Sequence, residues 1–148
     1  MLKYSLIIDH ELCWGCKTCE VVCKQEFHTP EGVKLIQVEE IGPRLVEDKL
    51  DFTFHVNVCQ HCDDPPCADA CPDEAIIKRE DGIVILDEKK CTGCQLCIDA
   101  CPYDAIAIDS AKGIAQKCNL CVHRIDKGLY PACADNICLA HCIDLRSV

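Results

Sequence analysis

The spacing of cysteine constrains this chain more than any other feature. Of its 148 residues, 17 are cysteine, far above ordinary usage. Group one is Cys13, Cys16, Cys19 and Cys23, reading C-x2-C-x2-C-x3-C. Group two is Cys59, Cys62, Cys67 and Cys71, reading C-x2-C-x4-C-x3-C and followed by Pro72. Group three is Cys91, Cys94, Cys97 and Cys101, reading C-x2-C-x2-C-x3-C and followed by Pro102. Group four is looser: Cys118, Cys121, Cys133, then Cys138 and Cys142. So many thiols imply either a disulfide scaffold or a metal protein. A disulfide scaffold expects a secretory leader. Met1 to His10 has one lysine and no long apolar run, small-residue cleavage site or twin-arginine pair. No stretch of about 20 apolar residues could span a bilayer, so no direct membrane insertion is expected. The expectation is a soluble, cytoplasmic chain whose thiols stay reduced and bind metal.

Aromatic residues make up only 5% of the chain, too few for a conventional core. Metal ligation must then supply much of the folding energy, and a metal-free chain is expected to be largely unfolded. The formal charge is −10. Each [4Fe–4S]²⁺ cluster with four thiolates adds a formal −2, so four would lower the charge to about −18. That balance excludes a nucleic-acid partner. It suits a basic docking patch on a redox partner, or simple solubility.

Groups two and three form an internal repeat. Cys71-Pro-Asp-Glu-Ala-Ile-Ile matches Cys101-Pro-Tyr-Asp-Ala-Ile-Ala. Ile76–Lys78 and Ile83–Leu86 flank Glu80-Asp81-Gly82 and read as a hairpin. Ala105–Ile108 is a similar run, with Lys112-Gly113 as its turn. Residues 24–58 contain no cysteine. Val33–Glu39 and Phe52–Val58 have strand character; Phe52, Phe54, Val56 and Val58 alternate with polar residues. Ile41-Gly42-Pro43 punctuates the interval between them. An inserted strand pair serving as scaffold is expected there.

An iron–sulfur cube needs thiolates that converge on it from several directions. C-x2-C-x2-C wraps a tight loop around one cluster, and the fourth cysteine, starting a helix, reaches a second. The bacterial ferredoxin run C-x2-C-x2-C-x3-C-P works this way. Group three matches it in full; group one lacks only the proline, since Lys24 follows Cys23. Group two carries two extra residues, with Asp64-Pro65-Pro66 in the longer loop. Paired C-x2-C motifs also build zinc sites, but those do not read C-x2-C-x2-C-x3-C-P.

These segments resemble a known family. Cys13-Trp-Gly-Cys-Lys-Thr-Cys, Asn57-Val-Cys-Gln-His-Cys-Asp-Asp-Pro-Pro-Cys, the group-three run from Lys90 to Ile106, and Lys117-Cys-Asn-Leu-Cys through Tyr130-Pro-Ala-Cys133 carry the likeness. They look like the four-cluster iron–sulfur subunits of molybdenum or tungsten pterin oxidoreductases. The resemblance implies an α+β fold of two pseudo-symmetric bacterial-ferredoxin-like modules with short helices, hairpins and the inserted strand pair. Module A would take residues 1–24 and 113–148, the insertion 25–55 and module B 56–112. Four [4Fe–4S] clusters are implied. One would be held by Cys59, Cys62, Cys67 and Cys101; its neighbour by Cys91, Cys94, Cys97 and Cys71. A third would be held by Cys118, Cys121, Cys133 and Cys23, and the last by Cys13, Cys16, Cys19 and one late cysteine. The family pattern expects that cysteine four residues after Cys133, followed by proline, but position 137 is Ile137. Cys138 needs one extra loop residue; Cys142 is the alternative.

The implied partners are a pterin-containing catalytic subunit and a further donor or acceptor such as a ferredoxin or flavoprotein. The chain ends six residues after Cys142, short for the family, which favours a soluble partner. By size, the small electron-transfer subunits of tungsten aldehyde oxidoreductase and benzoyl-CoA reductase complexes look similar. A free-standing polyferredoxin and a metal-stabilised assembly module are the rival readings. Trp14, Lys17, His61, Tyr103, His123 and Arg124 sit beside the cysteines, where donors and charge tune a cluster. Trp14 and Tyr103 read as packing and solvent shielding, Lys17 and Arg124 as charge compensation. His61 and His141 are spare candidate ligands. No nucleophile–base pair, phosphate loop or nucleotide fingerprint appears, so no catalytic site is expected.

Overall fold

The computed structural model describes residues 3–147; positions 1, 2 and 148 of the expected module A lie outside it. Four two-stranded antiparallel ribbons and short helical turns make up the fold. The first ribbon pairs β1 (Tyr4–Ile8) with the last strand, β8 (Ile143–Ser147). The second is the long hairpin of β2 (Ile36–Val46) and β3 (Lys49–Val58). β4 (Ile76–Lys78) with β5 (Val84–Leu86), and β6 (Ile106–Asp109) with β7 (Ile114–Lys117), form the two short hairpins. The helices are α1 (Thr18–Phe27), α2 (Pro66–Asp69), α3 (Leu96–Ala100) and α4 (Val122–Ile125).

Both short hairpins lie where the β-type runs predict them, and side-chain turn chemistry closes them. Asp81 accepts the Ile83 N–H beside Gly82, which sits at φ +83°. Asp109, almost fully buried, accepts the N–H groups of Ala111 and Lys112. These Asx turns fix strand register locally.

Two expectations need correction. Ile41-Gly42-Pro43 is not the turn of the long hairpin: it lies inside β2, where Gly42–Pro43 is cis and the register shifts between Ile41 and Arg44. The turn is Glu47-Asp48, both residues at positive φ, the two-residue geometry that matches the twist of antiparallel strands. The fourth cysteines of groups two and three do not start helices. Cys67 and Cys97 lie within α2 and α3, and Cys71 and Cys101 follow those helices. Among the described residues only α1 carries two cysteines, Cys19 and Cys23.

The base of the long hairpin is buried through Ile36, Val38, Val56 and Val58, which pack with Cys19, Cys23, Cys118, Cys133, Cys138 and Cys142. A second core gathers Ile76, Val84, Ile106 and Ala115 around Cys67 and Cys97. Ile83, Leu120 and Ile125 form a third. Glu20 ties α1 to the hairpin: one carboxylate oxygen accepts the Val38 N–H at 2.7 Å and the other meets Lys34 at 2.8 Å.

Candidate metal centres

Three cavities are walled by four thiols each. Cys59, Cys62, Cys67 and Cys101 line one of about 330 Å³, including the space at its mouth. Cys71, Cys91, Cys94 and Cys97 line another of about 300 Å³. Cys23, Cys118, Cys121 and Cys133 line a third of about 310 Å³. In each, one cysteine comes from a sequence group other than that of its three companions. Among the described residues no three or more His, Cys, Asp or Glu side chains converge on a single-ion point. The thiols stand instead around open space, as a four-cornered cube requires. The remaining thiols form a fourth gathering. Cys13 packs against the core that holds Cys19, Cys138 and Cys142, the Cys142 sulfur lies 3.4 Å from that of Cys138, and Cys16 stands exposed in the loop between Cys13 and α1.

The ribbons make these meetings possible. β1 and β8 zip the two ends of the chain together, and the ladder continues as the Asp9 N–H donates to the Cys142 carbonyl at 2.8 Å. That contact sets the Cys13 loop beside Cys138 and Cys142. The loop of group three needs Gly93 at φ +73°, where an added Cβ would collide with the Gly113 carbonyl in the β6–β7 turn. Gly15, at φ +69°, is likewise covered by the Phe54 ring.

Backbone N–H groups point at the sulfurs. His61 donates to Cys59, Leu120 to Cys118, Ala75 to Cys71, Ala115 to Cys91 and Ala132 to Cys121, at 3.3–3.5 Å. Such donors stabilise thiolate charge. Without metal, burial dominates: it pushes the Cys19 thiol up to about 12 and Cys97 up to about 11, and raises Cys23 and Cys133 further. Closing a cluster must therefore release protons. Thiols of neighbouring gatherings also pack together: Cys19, Cys23, Cys118 and Cys133 share one core with Cys59 against it, and Cys67 and Cys97 share another.

The neighbouring residues behave less uniformly than expected. Trp14 is 65% exposed and Tyr103 46%, so neither is buried packing. Lys17 pairs with Glu40 at 2.8 Å, and Arg124 with Asp135 and the Tyr130 carbonyl. Both compensate protein carboxylates. His123 meets Glu26 at 2.6 Å. His61 is buried, and its Nδ1 accepts the Val84 N–H at 2.9 Å, so Nε2 carries the proton. Burial holds its pKa down at about 3. His141 is exposed at φ +50°. Sequence reasoning missed Lys117. It is 5% exposed and donates to the Val84 and Cys118 carbonyls at 2.5 and 2.8 Å. Among the described residues no carboxylate lies within 4 Å of its ammonium. Its place immediately before Cys118 was the available signal.

Thiol cavities on paired ribbons define an iron–sulfur protein of the ferredoxin type. The protein belongs to the 4Fe-4S dicluster domain family, whose model matches residues 50–147; a 4Fe-4S binding domain model matches residues 6–27. Its cofactors are four [4Fe–4S] clusters. It is 43% identical over 139 residues to a tetrathionate reductase subunit of Salmonella typhimurium, covering 90% of this chain and 54% of that protein. It is 40% identical over 133 residues to a polysulfide reductase chain of Wolinella succinogenes, covering 88% and 70%. It is 38% identical over 143 residues to an anaerobic dimethyl sulfoxide reductase chain of Haemophilus influenzae, covering 91% and 70%. The sequence thus spans about half the length of the first relative and 70% of the other two. No helix among the described residues is long and apolar enough to cross a membrane.

Proposed function

We propose that the chain is the electron-transfer subunit of a molybdenum-pterin reductase. The single observation that carries this reading is the succession of thiol gatherings packed one against the next: Cys19, Cys23, Cys118 and Cys133 share one core with Cys59 against it, Cys59 shares a cavity with Cys67 and Cys101, and Cys67 shares the next core with Cys97. Each cluster, when bound, takes up and releases one electron. The chain's own residues hold the clusters in sequence, wall them from water with the valine and isoleucine base of the long hairpin, and aim N–H groups at the sulfurs.

The proposed ligands are Cys59, Cys62, Cys67 and Cys101 for one cluster and Cys91, Cys94, Cys97 and Cys71 for the next. Cys118, Cys121, Cys133 and Cys23 hold a third. Cys13, Cys16, Cys19 and one of Cys138 and Cys142 hold the last. Three of these sets have a cavity to themselves, which supports the exchange of one cysteine between paired groups and so the pseudo-symmetric modules.

The partners proposed are a pterin-containing catalytic subunit at one end and a further electron donor or acceptor at the other. The relatives described above are named for reductases of tetrathionate, polysulfide and dimethyl sulfoxide, all sulfur compounds. A partner acting on an oxidised sulfur compound is therefore favoured over the tungsten aldehyde oxidoreductase and benzoyl-CoA reductase complexes that chain size suggested.

Anaerobic purification from the native host tests the reading. Co-elution with a pterin-bearing protein, together with about sixteen irons and little zinc, is expected at four irons per cube. Zinc in place of iron would leave an assembly module, and elution of the native chain alone would leave a free-standing polyferredoxin.

A further inference from the structure

Three times the fold repeats one local pattern after a cysteine. Cys71, Cys101 and Cys138 each accept, at the carbonyl, the N–H of the residue three positions on: Glu74 at 3.3 Å, Asp104 at 3.4 Å and His141 at 2.9 Å. Those three residues share one left-handed conformation, φ +49°, +48° and +50°. The next residue is buried in each copy: Ala75, Ala105 and Cys142. An equally buried isoleucine then opens a strand: Ile76 in β4, Ile106 in β6 and Ile143 in β8.

The repeat distinguishes the two late cysteines at the terminal cluster. Cys71 and Cys101 are the cysteines that cross into the neighbouring group's cavity. Cys138 holds their place, and Cys142 holds the place of an alanine. Yet Cys142 is no bystander, because its sulfur sits 3.4 Å from that of Cys138.

Resting on the four-cluster reading, we infer that Cys138 is the fourth ligand of the cluster held by Cys13, Cys16 and Cys19, and that Cys142 remains a thiol whose S–H donates to a ligand sulfur. An iron-bound Cys138 has no proton to give, so Cys142 is the donor. Hydrogen bonds to ligand sulfurs raise a cluster's reduction potential.

Full-length protein, purified anaerobically, is analysed for iron and followed by potentiometric titration with electron paramagnetic resonance. Wild type carries about sixteen irons; a lower value overturns the four-cluster reading itself, whatever the variants do. C142A is expected to fold, since alanine already fits this place at Ala75 and Ala105. It keeps the full iron complement, with one cluster shifted to lower potential. C138A is expected to lose that one cluster while the other three signals persist. A C142A protein short of about four irons, or a C138A protein with all four signals, overturns the ligand assignment. C142A with every potential unchanged overturns the hydrogen bond.

Discussion

Replacing Lys117 with methionine tests whether a buried ammonium sets cluster potentials. Lys117 ends β7, contributes to the wall of the Cys59 cavity and donates to the carbonyl of Cys118. It therefore lies between two cluster sites. Burying an ammonium without a counter-ion is costly, and anionic clusters bound at the proposed sites would supply the counter-charge. Burial raises the Cys67 and Cys118 thiols, and the Lys117 charge acts against that rise at both. At about 8 Å and an effective dielectric near 20, one positive charge favours an added electron by roughly 2 kcal/mol. At about 59 mV per tenfold for one electron, that is on the order of 90 mV. K117M should therefore lower two of the four potentials by roughly 50–100 mV and leave the outer two shifted less. The assay is a potentiometric titration resolved by electron paramagnetic resonance, with iron content checked first. The substitution also strips the donor from two buried carbonyls, at about 1–3 kcal/mol each, so a lower melting temperature is expected. Potentials that stay put at full iron content would refute the electrostatic reasoning. An equal fall at all four clusters would also refute it, pointing to general loosening.

Further outcomes follow from the same geometry. G93A should lose the cluster of Cys71, Cys91, Cys94 and Cys97, because the new Cβ meets the Gly113 carbonyl; iron analysis reads the loss as about four atoms. G113A has open space around its Cβ and should cost only the left-handed backbone, about 1 kcal/mol in a denaturation midpoint, with iron retained. Anaerobic chelation of iron should erase most secondary structure in the circular dichroism spectrum, since so much of the core is thiol. The hydrogen bond to His123, with Arg124 nearby, holds the Glu26 carboxyl below its ordinary 4.5. A depressed folded value stabilises above the unfolded one and fades as pH falls through it. E26Q should therefore melt below wild type at neutral pH, and the gap should narrow as pH drops under about 4.5.

Much of this protein was written locally. The chemistry of groups one to three depends on spacings of two to four residues, too short for any fold to rearrange. The hairpins at residues 76–86 and 106–117 close through Asp81 and Asp109 on their own N–H groups, so neighbours in sequence suffice to place them. The four-cluster complement was legible for the same reason. What lay beyond local reach was decided in three dimensions. Gly42-Pro43 carries the composition of a turn, yet continued pairing on both sides keeps it within a strand and moves the turn to Glu47-Asp48. A lysine before a cysteine looks like any solvated charge until Val84, 33 residues away, closes over it. Cys138 and Cys142 are equivalent in composition and nearly so in spacing. Spacing puts Cys138 first with Cys142 as the alternative, and the folded backbone adds support by giving Cys138 the setting of Cys71 and Cys101, because a positive-φ residue followed by a strand is a property of the fold and not of the cysteine itself.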